Sequence, residues 1–250
     1  MNDRGSEVWE RQDFPPWSIK VLLLWLVGFL ALSGVVAIFF AYGVSYLMSN
    51  YNIELNPGEH YFSITMPSHI AYKGLIFLFI FLQLKKTSFS LENIWISYEL
   101  HMRHVVIGLL VGTLLMSLHL LIHRAITGQM VPPPQYPMRF VWYITLSIEL
   151  VSVAIIAGIV EEILFRGIIY QALRKYYSLT ISLLLSTTIF ALFHIDLILN
   201  PYAITYVIFF GVIAAFLFEQ TRSLNICISF HIAGNATEAL VRYLTHIIPT

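Results

Sequence analysis

Apolar residues along this chain do not alternate with polar ones; they come in long runs. The runs fall at Val21–Met48, Ile70–Leu84, Val105–Ile122, Val141–Gly158, Ser178–Phe193, Tyr202–Phe218 and Ile226–Ile248. A membrane span needs about 20 such residues. The pattern therefore predicts an all-α, polytopic membrane protein of about seven transmembrane helices, within a range of six to eight. The first run is longer than the about 7–15 residues of a signal core, and the tail before it mixes acids with bases, so it is expected to be a retained span. The second is short and carries Lys73, whose long stem allows the ammonium to snorkel to an interface. The last is amphipathic. The stretch 141–174 is too long for one straight span, which marks Gly158 as a candidate break. The prolines of GQMVPPPQYP, residues 128–137, cannot continue a helix and make that stretch a connector. The expected organisation is an N-terminal tail, 1–20, and one transmembrane helical domain, 21–250.

Composition agrees with the pattern. The chain is 58% hydrophobic and 11% charged, with a mean hydropathy of +0.76; a soluble domain carries about 25% charged residues. The formal net charge is zero, which gives no reason to expect a nucleic-acid partner. The one cysteine, Cys227, excludes an intrachain disulfide and reads as a buried apolar side chain. Lysine and arginine gather at alternate connections: Arg4, Arg11 and Lys20; Lys85, Lys86 and Arg103; Arg174 and Lys175; Arg222. The opposite connections hold only Arg124 and Arg139. The positive-inside rule then puts the N-terminus in the cytoplasm.

Against this background a few polar residues stand out. EEILFR places Glu161, Glu162 and Arg166 in an apolar run; FALFH places His194 one turn after Phe190; HIAGN places His231 and Asn235 at i, i+4. At 1.5 Å per residue, Glu161 and His194 lie about 20 and 24 Å from the turn at 175–178, and His231 and Asn235 about 14 and 20 Å along the last helix. Three segments thus bring polar groups to similar depth. Glu162 and Arg166 are a favourable i, i+4 ion pair and read as a brace. Glu161 points about 100° away from Glu162 and has no partner in its own segment. Ionisable groups within a membrane mark function by default.

The chemistry open to such a set is hydrolysis. A carboxylate in a low-dielectric pocket is shifted toward the range where it acts as a general base on water. A facing histidine can hold that water, and a His–Asn pair can donate to a developing oxyanion. No Ser, Thr or Cys is placed as an obvious covalent nucleophile. A second option is a divalent metal, such as zinc, on Glu161, His194 and His231; no HExxH motif demands it. His119 and His123 also have metal-pair spacing, but no acidic partner is near in sequence. Glu238 and Arg242 continue the His231–Asn235 stripe and are expected to face a vestibule, and Glu149 is expected near an interface.

EEILFR, FALFH and HIAGN match EExxxR, FxxxH and HxxxN, in order. In this the chain resembles the CAAX-protease and bacteriocin-processing family, also called CPBP or Abi proteins. The resemblance covers Gly158–Asn235, within a core of about 141–248. It implies an intramembrane endopeptidase that cuts a membrane-associated, prenylated or precursor peptide. It implies that Glu161 with His194 activates water, that His231 and Asn235 form the oxyanion site, and that Glu162, Arg166 and Phe190 support them. Family members are described as metalloproteases, and a metal-independent glutamate mechanism is the other reading. The alternative function is a non-catalytic membrane partner, such as a bacteriocin-immunity or regulatory protein. A proton-coupled transporter is weaker, because no internal repeat is visible. The expected location is a prokaryotic plasma membrane.

Overall fold

The computed structural model describes residues 15–51, 66–87, 94, 101–128, 142–194, 197 and 200–247. Seven helices and no strand are found among them. They are α1 (Ile19–Tyr51), α2 (Met66–Lys85), α3 (Met102–Thr127), α4 (142–174), α5 (Leu179–Leu192), α6 (Pro201–Thr221) and α7 (Leu224–Ile247). The all-helical polytopic architecture expected from the apolar runs is thus the observed one. Four helices, α1, α2, α3 and α6, are long and apolar enough to cross a membrane, and α5 is a shorter apolar helix of 14 residues. The proline connector lies outside the described residues beyond Gly128.

Helix ends follow their local chemistry. Gly128 adopts φ +77°, a left-handed value, and its N–H donates to the Arg124 carbonyl, ending α3 before the prolines. Asn200 caps α6: its Oδ1 accepts from the N–H groups of Tyr202 and Ala203, with Pro201 at the first helical position. Arg222 takes the left-handed conformation (φ 52°) that closes α6, and α7 starts two residues later.

The long fourth helix does not break at Gly158. It is interrupted instead by two π-helical segments, Leu150–Ile156 and Ile163–Tyr170, on either side of an α-helical turn, Ala157–Glu162. Such wide turns are uncommon and occur mostly where a side chain must be re-aimed. Every residue of the second π segment is buried, Arg166 included. A Cβ on Gly158 would stand 3.1 Å from Ile232 Cγ1 and 3.6 Å from His231 Cβ. Its smallness therefore serves the approach of α7, which carries His231, rather than a bend.

α4 is the centre of the bundle, touching α2, α5, α6 and α7; α1 pairs with α2 and α5 with α6. The most extensive pairing is between α3 and α7. Gly108 and Gly112 make it possible. A Cβ on Gly108 would stand 2.0 Å from Ser229 Oγ and 2.4 Å from the Ile226 carbonyl; one on Gly112 would stand 2.2 Å from the Phe230 carbonyl. Small residues that let backbones touch are how helices pack where lipid supplies no hydrophobic drive. At the end of the bundle near Arg174, Glu219 accepts from Tyr170 Oη (2.7 Å), Arg174 Nε (3.2 Å) and Arg222 Nη2 (3.1 Å), locking the ends of α4 and α6 together. The outward faces of α1 and α3 are apolar, with Leu24, Val27, Phe39, Leu110 and Leu114 exposed.

Gly112→Ala is expected to destabilise the purified protein by about 1–3 kcal/mol or more, since the clash is with backbone. Gly28→Ala, at a site with nothing within 4 Å, is expected to cost nothing. Thermal unfolding of the two variants in detergent measures the difference.

Candidate active site

The π segment and the turn before it fix the two glutamates on different sides of α4. Glu162 is fully buried, and its Oε1 accepts from Arg166 Nη1 at 2.9 Å, as the i, i+4 spacing predicts. It also accepts from His231 Nδ1 at 2.7 Å. Arg166 is 1% exposed; its Nη2 donates to the Gly211 carbonyl of α6 (3.1 Å), and its guanidinium lies 4.7 Å from the centre of the Phe190 ring. One buried ion pair thus ties α4 to α5, α6 and α7. Glu162 is therefore more than a partner for Arg166. It fixes the ring of His231, leaving Nε2 as the nitrogen that faces the site.

Glu161 looks the other way. Its Oε2 lies 3.8 Å from His194 Nε2 and 3.9 Å from His231 Nε2. His194 Nδ1 donates to the Phe190 carbonyl (2.9 Å), so its Nε2 is also the free nitrogen. Phe190 packs edge-on to Phe165 and lies 4.6 Å, ring to ring, from His194; it is the platform under both Arg166 and His194. The Glu161–histidine distances are too long for direct hydrogen bonds and suit one water-sized group held between them. Glu161 Oε2 is buried without a hydrogen-bond partner among the described residues.

Asn235 stands one turn beyond His231. Its Nδ2 donates to the Val153 carbonyl in the first π segment at 2.9 Å, which leaves the second amide hydrogen for another acceptor. Asn235 also lines a cavity of about 90 Å³ with Glu149, Val153, Glu238, Ala239 and Arg242. Glu238 and Arg242 pair with each other there. Glu149 is buried in this wall. The polar stripe of α7 therefore runs from the His231 site into a recess lined by Glu149, Glu238 and Arg242. His119 and His123 pack against the rings of Tyr206 and Tyr202.

The sequence reading missed one member of the site. Lys73 does not snorkel outward. Its Nζ lies 3.0 Å from Glu161 Oε1. The signal was available as a lone cation within an apolar run, which a membrane helix tolerates only with a partner. Lys73 also bears on the metal option. The negative charge of Glu161 is already matched by this ammonium, so a divalent ion on Glu161, His194 and His231 would meet a cation next to its only anionic ligand. Among the described residues no three His, Cys, Asp or Glu side chains are grouped to hold an ion. The ammonium at Glu161 Oε1 weighs against a divalent ion at that carboxylate.

Compared with known proteins, residues 140–237 match the family described as Type II CAAX prenyl endopeptidase Rce1-like. This bears out, over that segment, the resemblance carried by EEILFR, FALFH and HIAGN. No curated protein matches the chain, and no solved structure matches it. Glu161, Glu162, Arg166, Phe190, His194, His231 and Asn235 all fall within the matched residues; Lys73 does not.

Arg166→Met would leave Glu162 buried beside His231 alone. Removing one partner of a buried pair costs about 3–5 kcal/mol. The variant is expected to lose that much stability in detergent unfolding, and Glu162→Gln, which leaves the buried Arg166 guanidinium without a counter-charge, to lose a comparable amount.

Proposed function

We propose that this chain, which carries an Rce1-like segment of the type II CAAX prenyl endopeptidase family at residues 140–237, is an intramembrane endopeptidase acting through glutamate-activated water. The observation that carries the reading is the convergence of Glu161 Oε2 with two imidazole Nε2 atoms at 3.8 and 3.9 Å. Both imidazoles have their Nδ1 engaged elsewhere. A water between Glu161 and His194 donates one hydrogen to each. As its oxygen attacks the scissile carbonyl, Glu161 takes the proton. The new C–O bond forms while the carbonyl π electrons move onto oxygen. His231, from Nε2 when protonated, and the second N–H of Asn235 donate to that oxyanion. Collapse breaks the C–N bond, and Glu161 returns the proton to the leaving amine. No metal is needed for these steps.

The substrate class supported by the family match is a membrane-associated peptide, prenylated or a precursor, reached within the bilayer. The basic connections favour an N-terminus in the cytoplasm, and the membrane proposed is a prokaryotic plasma membrane. The meeting of Arg174 and Arg222 on Glu219 supports placing those two turns on one side. The competing role, a non-catalytic immunity or regulatory partner, needs no activated water and is separated by the same variants.

Glu161→Ala and His194→Ala are each expected to lower cleavage by about 10²–10⁴-fold while the protein still inserts and folds. Comparing membrane peptides from cells with wild type and with Glu161→Ala identifies the substrate as the peptide that stops being cut. An unchanged peptide set, with the cellular phenotype intact in Glu161→Gln, would point to the non-catalytic role. Excess chelator is expected to leave the rate of the purified enzyme within about twofold; complete loss, restored by zinc, would overturn the metal-free step.

A further inference from the structure

Lys73 belongs to α2, well before the matched segment. It is placed by the inward stripe of its helix: Lys73, Ile76, Ile80 and Leu84 stand at i, i+3, i+7 and i+11, and the three apolar members are buried. That periodicity aims Lys73 at the bundle and away from lipid. The contact is partly sheltered, with Lys73 18% and Glu161 15% exposed. Each of the two adjacent glutamates therefore has its own cation, Arg166 for Glu162 and Lys73 for Glu161. The two cations do different things. Arg166 shares Glu162 with His231 and is boxed in by Gly211 and Phe190. Lys73 takes only Oε1 of Glu161.

We propose that Lys73 is a positioning residue for the Glu161 base. Its ammonium holds Oε1, so that Oε2 is the oxygen presented to His194 and His231 and to the water between them. A carboxylate with one free torsion near its end can otherwise turn either oxygen, or neither, toward the imidazoles. The α1–α2 pair is then part of the hydrolytic machinery and not only its lipid-facing cover. The proposal rests on the endopeptidase reading above.

The test uses the full chain in nanodiscs and, as probe, a peptide spanning the cut site that appears with wild type and disappears with Glu161→Ala. Lys73→Met is expected to lower kcat at least about tenfold with KM within about twofold. Lys73→Arg, which keeps a cation, is expected to recover most of that loss, and added ethylammonium part of it in Lys73→Ala. In thermal unfolding, Lys73→Met should lower Tm, and adding Glu161→Gln to it should raise Tm again, because the unpaired carboxylate is gone. Wild-type kcat in Lys73→Met would overturn the proposal alone. So would a loss of activity that follows Tm and is recovered by neither arginine nor ethylammonium, since that describes a packing role. Absence of any peptide whose cutting depends on Glu161 overturns the endopeptidase reading and this proposal together.

Discussion

The ion pair between Glu162 and Arg166 is the constraint on which the rest of the bundle is arranged. Two charges with almost no exposure are tolerable in an apolar interior only when they are paired and hydrogen-bonded. Here the partners come from four helices: Glu162 and Arg166 from α4, the Phe190 ring from α5, the Gly211 carbonyl from α6 and His231 from α7. Meeting the cost of one buried charge thus sets the mutual positions of the helices that also carry Glu161, His194 and Asn235. The brace and the site are one construction seen from two sides of α4.

This explains why the two histidines differ in kind although they sit at nearly equal distances from Glu161. His194 is oriented by its own helix, through the Phe190 carbonyl one turn back. His231 is oriented across the bundle, by a carboxylate. A carboxylate behind an imidazole stabilises added positive charge on the ring, whereas a backbone carbonyl mainly fixes its direction. On the proposed hydrolytic reading the pair divides the work, His194 holding water and His231 meeting developing negative charge.

Much of this was legible in the sequence, because lipid makes polar residues conspicuous. Glu161, Glu162, Arg166, His194, His231 and Asn235 stood out against long apolar runs, and their matched depths followed from helix rise alone. The spacing of Glu162 and Arg166 gave their ion pair directly. Lys73 was visible too, but a single lysine near the end of a short run has an ordinary explanation in snorkelling. Only the packing of α2 on α4 decides between the two. The π segments were not legible: no residue type announces an i→i+5 turn, and the glycine that seemed a break proved to be a close contact with α7. The Glu162–His231 bond joins residues 69 positions apart, a distance at which periodicity carries no information.

The lysine on α2 also bears on where this protein can be divided. A fragment beginning near residue 140 would keep every residue of the three motifs. It would look complete to any inspection of sequence. It would nevertheless lack the ammonium beside Glu161 and the glycine face of α3 against which α7 is seated. Such a piece would hold Glu161, one of the two adjacent glutamates, unmatched in an apolar interior, and the helix bearing His231 and Asn235 would have lost its backing. The smallest unit that is electrically whole is therefore larger than the smallest unit that is recognisable.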